Sequence, residues 1–180
     1  ATITGQLKTF ASKSKGRRES VDLGRVINRV LTFTQLQFSD NQIILNTDLP
    51  ADGEVIIQGD SLQLEQVLNN LIRNGLDAMK ESRDKIFRIE LKSAAGYAIL
   101  SFHDSGPGIS EEAQELLFDP FYTTKDIGEG LGLGLSISYG IVHEMNGTIQ
   151  AGNHPEGGAV FTLRLPLAET SQHESRDRLK

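Results

Sequence analysis

A chain of 180 residues with 38% apolar and 23% charged residues suits one globular domain with some appended material. It has no cysteine, which excludes disulfides and thiolate metal sites, and its net charge of −6 disfavours a nucleic-acid surface. The same charge means that an anionic ligand must be drawn in by local donors and cations, not by the overall field.

No apolar run approaches the roughly 20 residues that a bilayer-spanning helix needs, and no signal peptide is visible. The chain opens on Ala1 in mid-pattern and reads as a piece cut from a longer protein. Ile3, Leu7 and Phe10 share one face of a helix without a start signal. That piece is either the end of a longer amphipathic helix or a short helix docked on its own domain. Lys13, Lys15, Arg17 and Arg18 around Gly16 read as a solvated linker through Ser20. The expected organisation is a helix end over 1–14, a linker over 15–20, a domain over 21–167 and a disordered tail over 168–180.

Within the domain, Asp22 stands where an N-cap would, and Val26, Ile27, Val30 and Leu31 keep a helical period through about Phe38. Strands are predicted over 43–49 and 55–57. Asp60 caps a long helix running to about Glu81. Two more strands, 87–91 and 97–102, meet at Gly96. Ser110 caps a short helix ending near Leu117, and a loop leads to about Leu131. A helix over 133–145 stops at Gly147, and strands over 148–151 and 159–165 close the domain as a hairpin. Helices interleave with hairpin-linked strands. This order predicts an α+β fold: a two-layer sandwich with helices on one face of a mixed, mostly antiparallel sheet.

Four blocks carry the chemistry. On the Asp60 helix, Gln66, Asn70, Asn74 and Asp77 fall on one stripe, while Leu64, Val67, Leu68, Leu71, Ala78 and Met79 lie on the other side, toward the core. The polar stripe either faces water or faces a ligand. Asn is a weaker helix former than Glu or Lys, so two of them one turn apart are poor choices for a merely solvated face. A side-chain amide oxygen is a hard, neutral ligand, and Asn74 supported by Asn70 suits Mg, which takes one or two protein oxygens and completes its shell with phosphates and water.

Asp104 ends a strand and is followed by Ser105-Gly106-Pro107-Gly108. A carboxylate there can accept the amino hydrogen of adenine, with glycine allowing close approach to a flat ring. The other reading is a plain Asp-Ser-Gly turn. Phe118 and Phe121 flank Asp119-Pro120 and precede Thr123-Thr124-Lys125. The aromatics read as anchors of a lid whose Lys125 reaches a phosphate as a point charge, or as a surface loop over a buried Phe pair. Gly128, Gly130, Gly132 and Gly134 stand at every second position. They match neither the Walker loop nor the dinucleotide fingerprint, but they lead into a helix start, where exposed N–H groups make an anion site. Leu131, Leu133 and Leu135 are spaced anchors that a flexible linker would lack. A phospho-acceptor role for His143 is a minor alternative.

With these blocks in order, the stretch from Val21 to Leu167 resembles the catalytic, ATP-binding domain of two-component sensor histidine kinases, of the superfamily shared with gyrase, Hsp90 and MutL. The segments Ser136-Ile137-Ser138-Tyr139-Gly140-Ile141-Val142 and Asn153 through Phe161 further resemble the C4-dicarboxylate-sensing and nitrogen-regulatory kinases. The resemblance implies a Bergerat-type ATP-binding fold and Mg-ATP as cofactor. It makes Asn70 and Asn74 the catalytic N box, with Asn74 on Mg. Asp104, Gly106 and Gly108 become the first Gly box around adenine, Phe118 and Phe121 the F box, and Gly130, Gly132 and Gly134 the second Gly box at the phosphates. Asp77, Ile109, Thr124, Lys125, Leu131, Leu133 and Leu135 complete the expected nucleotide contacts.

It further implies that residues 1–14 end a dimerisation helix pair whose acceptor His lies upstream, and that the parent is a homodimeric bacterial inner-membrane protein with this part in the cytoplasm. The partner after phosphorylation would be a response-regulator receiver domain. Two departures stand out: relatives often carry a basic residue and an aromatic where this chain has Asp77 and Ala78, and they often carry Thr where it has Leu131 and Ala159. The competing readings are a nucleotide-binding module that transfers nothing, and a serine kinase of the anti-sigma-factor type.

Overall fold

The local signals at the helix starts are realised as hydrogen bonds. In a computed structural model, which describes residues 18–125 and 131–168, Asp22 accepts from the Arg25 N–H and opens helix α1, Leu23–Asp40. Asp60 accepts from the N–H groups of Leu62 and Gln63 and opens α2, Ser61–Ala78. Ser110 accepts from Ala113 and opens α3, Glu111–Leu116. Each cap satisfies donors that the first helical turn leaves unpaired. Helix α4, Gly134–Glu144, starts at Leu133 without any side-chain cap.

The strands are β1, Glu19–Asp22; β2, Ile44–Asp48; β3, Ile56–Gly59; β4, Ile86–Ala94; β5, Tyr97–Asp104; β6, Thr148–Asn153; and β7, Ala159–Pro166. Five of them form one sheet in the order β2-β4-β5-β7-β6. Only the β2–β4 pair is parallel. The expected mixed, mostly antiparallel sheet with helices on one face is therefore the observed fold.

Side-chain alternation sets which face the helices cover. On β4 the buried row is Phe87, Ile89 and Leu91; on β7 it is Ala159, Phe161, Leu163 and Leu165. On β5 it runs Ala98, Leu100, Phe102 and then Asp104. The last member of a core-facing row is thus a carboxylate. Helix α2 lies close over this face, because Gly75 abuts the Phe87 ring where any Cβ would overlap it.

Two expectations need correction. Glu19 and Ser20, read as linker, are strand: they pair antiparallel with Gly59 and Gln58, and the Ser20 hydroxyl accepts from the Gln58 amide at 2.9 Å. Arg18 stays exposed, but its guanidinium donates to the Glu144 carbonyl at 3.1 Å, at the C-terminal end of α4. At the other end, the Ala168 N–H bonds the Ile56 carbonyl at 2.8 Å. The helix expected over 1–14 and the rest of the tail lie outside the described residues.

Candidate nucleotide site

Asp104 is only 3% exposed. One of its oxygens, Oδ1, accepts from the Gly106 N–H at 2.9 Å and from the Ala159 N–H at 3.4 Å. Burial pushes its carboxyl above the usual carboxylate range, against the pull of those two amides and of His103. No described residue bonds Oδ2. The loop after Asp104 is glycine for a steric reason, since a Cβ on Gly106 would stand 2.8 Å from Asp104 Oδ1. A Cβ on Gly106 would stand 3.1 Å from both the Cβ and the carbonyl oxygen of Ala78. Gly108 has φ +82, and a Cβ there would meet Asn153 Oδ1 at 2.7 Å. Ala78 is exposed, not core-facing as its place on the helical wheel predicts. It is the last residue of α2 and meets the Gly106 loop.

Ile109 is half-buried and clamped: its N–H donates to Asn153 Oδ1 at 2.7 Å, and its carbonyl accepts from Asn153 Nδ2 at 2.8 Å. The Asn153 amide imitates a pair of ladder bonds and fixes the first Gly box to the end of β6.

One wall of the site is the polar stripe of α2, and this stripe faces α4. Asn70 Nδ2 donates to the Ser138 hydroxyl at 3.0 Å, and that hydroxyl donates to the Gly134 carbonyl at 3.0 Å. A Cβ on Gly134 would overlap the Asn70 amide. The second Gly box and the N box thus touch at the start of α4. Its uncapped N–H groups and the absence of acidic residues in its first turn leave an anion-binding end. Asn74, one turn further along α2, is half-buried, and no described residue bonds its side chain. Asp77, the next stripe member, takes Lys125 on Oδ2 and Lys80 on Oδ1. Burial would raise its carboxyl, but the two lysines outweigh that and leave it below the usual range.

The F box is less symmetrical than its sequence. The Phe118 ring packs on Tyr139 of α4, with centroids 5.6 Å apart. Phe121 is no anchor: it is 67% exposed, with φ +69. What it contributes is backbone. Its N–H bonds the Gly132 carbonyl at 2.9 Å, and Gly132, at φ +65, has the Phe121 and Tyr122 backbones where a Cβ would go. The left-handed turn that makes this clasp carries the ring into solvent. Thr124 and Leu131 are exposed, Leu133 is buried and Leu135 is half-buried. Gly130 lies outside the described residues.

A neutral amide stripe, an uncapped helix start, a lysine and a buried carboxylate with one free oxygen form a site that can hold a metal, phosphates and a purine amino group. Residues 59–169 match the family model described as histidine kinase-, DNA gyrase B-, and HSP90-like ATPase. The chain belongs to this ATPase family. It is 37% identical over 166 residues, 92% of its length, to the C4-dicarboxylate transport sensor protein DctB of Rhizobium meliloti. It is 35% identical over 183 residues, 98% of its length, to the protein of the same name in Pseudomonas aeruginosa. It spans 26% and 30% of the lengths of those two relatives. Among solved structures it is similar to the catalytic domain of histidine kinase ThkA, with TM-score 0.73 and 30% identity, covering 83% of this chain and 96% of that one. It is also similar to ThkA in complex with the response regulator TrrA, with TM-score 0.75 and 27% identity, covering 92% of this chain and 47% of that one. The chain is thus a histidine-kinase-type ATP-binding domain.

Within this family frame, three contributors to the site were not singled out from sequence. Ser138 is a buried hydroxyl on α4, visible beforehand only as a polar residue among apolar ones. Asn153 clamps Ile109 from 44 residues away. Gly158, at φ +80, lies so close to the Asp104 carbonyl that no side chain fits.

Proposed function

We propose that this domain holds Mg-ATP and transfers its γ-phosphoryl group to a histidine on a dimerisation helix of the parent protein, for relay to a response-regulator receiver domain. The observation that carries the reading is Asp104: a core-facing carboxylate with one oxygen tied to backbone amides and the other bonded by no described residue. That free oxygen suits the adenine amino group, which guanine lacks at the same place.

The residues present fit a magnesium ion. The Asn74 amide is half-buried and unengaged by described residues, and amide oxygen is a hard neutral donor. Asn74 would hold the ion, with Asn70 beside it. Mg2+, when bound, supplies neutralisation of the triphosphate charge. The chain's own part is position: α4 amides and Lys125 at the phosphates, Asp104 at the base. A loose phosphoryl-transfer transition state needs little more from the protein than placement and charge.

The resemblance to the DctB proteins favours a parent that is a dimeric sensor of C4-dicarboxylates in a bacterial inner membrane, with this domain in the cytoplasm. No helix among the described residues is long and apolar enough to cross a membrane.

The test mixes this chain with γ-labelled ATP and a separately made dimerisation segment carrying its histidine. Acid-labile, base-stable label on that segment is the expected result, with Asn74→Ala abolishing it while the circular dichroism spectrum stays unchanged. Label that never leaves ATP would overturn the transfer.

A further inference from the structure

We propose that Asp77 is not a nucleotide ligand but an internal competitor of the nucleotide's phosphates for Lys125. This rests on the Mg-ATP reading of the site.

The Asp77 carboxylate has both oxygens engaged, Oδ2 by the Lys125 ammonium and Oδ1 by that of Lys80 at 3.2 Å. Each oxygen thus already carries an ammonium, and a metal or a ribose hydroxyl would have to share the carboxylate with the two lysines. The pair is sheltered, since the two side chains are 20% and 29% exposed, and such a pair is stronger than an ion pair fully in water. It also links two separate parts of the site. Asp77 belongs to the helix that carries Asn74, three residues earlier and on the same face. Lys125 belongs to the segment after the F box, and its own N–H is tied to the Thr123 hydroxyl at 3.1 Å.

The ammonium is therefore parked within about one helical turn of the proposed metal ligand. Its flexible four-carbon stem and three donors let it change partners by a small swing. A triphosphate arriving beside Asn74 offers a larger negative charge than Asp77 does. Asp77 also repels that triphosphate directly. Both effects lower affinity, and both vanish if the carboxylate becomes an amide of the same shape.

The test compares wild type with Asp77→Asn by titration calorimetry, using a non-hydrolysable ATP analogue with Mg and, separately, adenosine. The analogue should bind about two- to fivefold more tightly to the variant, the range expected for loss of a partly exposed ion pair. Adenosine, which has no phosphate, should bind both alike. In parallel, acylation of the Lys125 amine, followed by mass spectrometry, should be faster in Asp77→Asn than in wild type, and the analogue should slow it in both. Weaker binding of the analogue to the variant would make Asp77 a ligand and overturn the proposal. So would equal affinity, or labelling of Lys125 that the analogue leaves unchanged. Wild type that binds neither compound would overturn the Mg-ATP reading itself. If Asp77→Asn does not fold, Asp77→Ser removes the same charge and is judged by the same outcomes.

Discussion

At the scale of one residue, Asp104 sets function against stability. Its carboxyl is raised by burial, so the folded protein binds that proton more tightly than the unfolded chain does. The stability this residue contributes is fully present below the unfolded value of about 3.9 and is lost as pH rises through the higher folded value. At neutral pH its charge therefore counts against the fold. Asp104→Asn removes that cost. The amide oxygen still accepts from Gly106 and Ala159, so the loop keeps its shape. The amide nitrogen replaces the free Oδ2 and presents a donor to the adenine amino group. The expected outcome is a thermal midpoint at pH 7 equal to or above that of wild type, with the advantage shrinking as pH falls toward 4. Affinity for ATP should fall by about 1.5–3 kcal/mol, as for losing a hydrogen bond to a charged group. Binding of GTP should change far less. Equal losses for the two nucleotides, or a variant destabilised at pH 7, would count against this account.

At the scale of elements, the second Gly box is a clasp before it is a cradle. Gly132 is held at φ +65 with its carbonyl on the Phe121 N–H and the 121–122 backbone pressed against its Cα. Alanine there meets both a left-handed backbone and a backbone clash, and backbone cannot step aside as a side-chain tip can. Gly132→Ala should cost about 1–3 kcal/mol of stability or open the clasp. Hydrogen exchange should show the Phe121 amide losing protection, and nucleotide affinity should drop with it. Unchanged protection at Phe121 would mean the clasp does not set the lid. This pairing was not readable beforehand, although both ends of it were. Signals that act within three residues came through: the caps at Asp22, Asp60 and Ser110, the strand alternation and the four motif strings. Contacts between distant segments did not. Asn70 reaches Ser138 across 68 residues, and β1 offers only Val21 as an apolar signal while finding its partner on β3. The outward face of Ala78 and the exposure of Phe121 likewise depend on what packs beside them, not on their own period.

At the scale of the whole molecule, the described residues of the site hold the nucleotide and none of them is placed to attack it. Hydrolysis needs a group that takes a proton from water, and the nearest stripe member one turn before the proposed metal ligand is the side chain in question. This chain has Asn70 there, an amide whose nitrogen is committed to the Ser138 hydroxyl and which has no proton affinity at neutral pH. A positioned general base is worth about 10²–10⁴ in rate. Applied to a median enzyme turnover of about 10 s⁻¹, its loss predicts ATP hydrolysis by this chain alone below about 0.1 s⁻¹. That slowness suits a domain whose nucleophile is a histidine on another segment, because a site that spent its ATP on water would compete with its own signal. A coupled ADP-release assay on the isolated chain reads this directly. Turnover near 1 s⁻¹ or faster, abolished by Asn74→Ala so that contamination is excluded, would mean that some other group activates water. The domain would then be an ATPase in its own right, not a holder waiting for its acceptor.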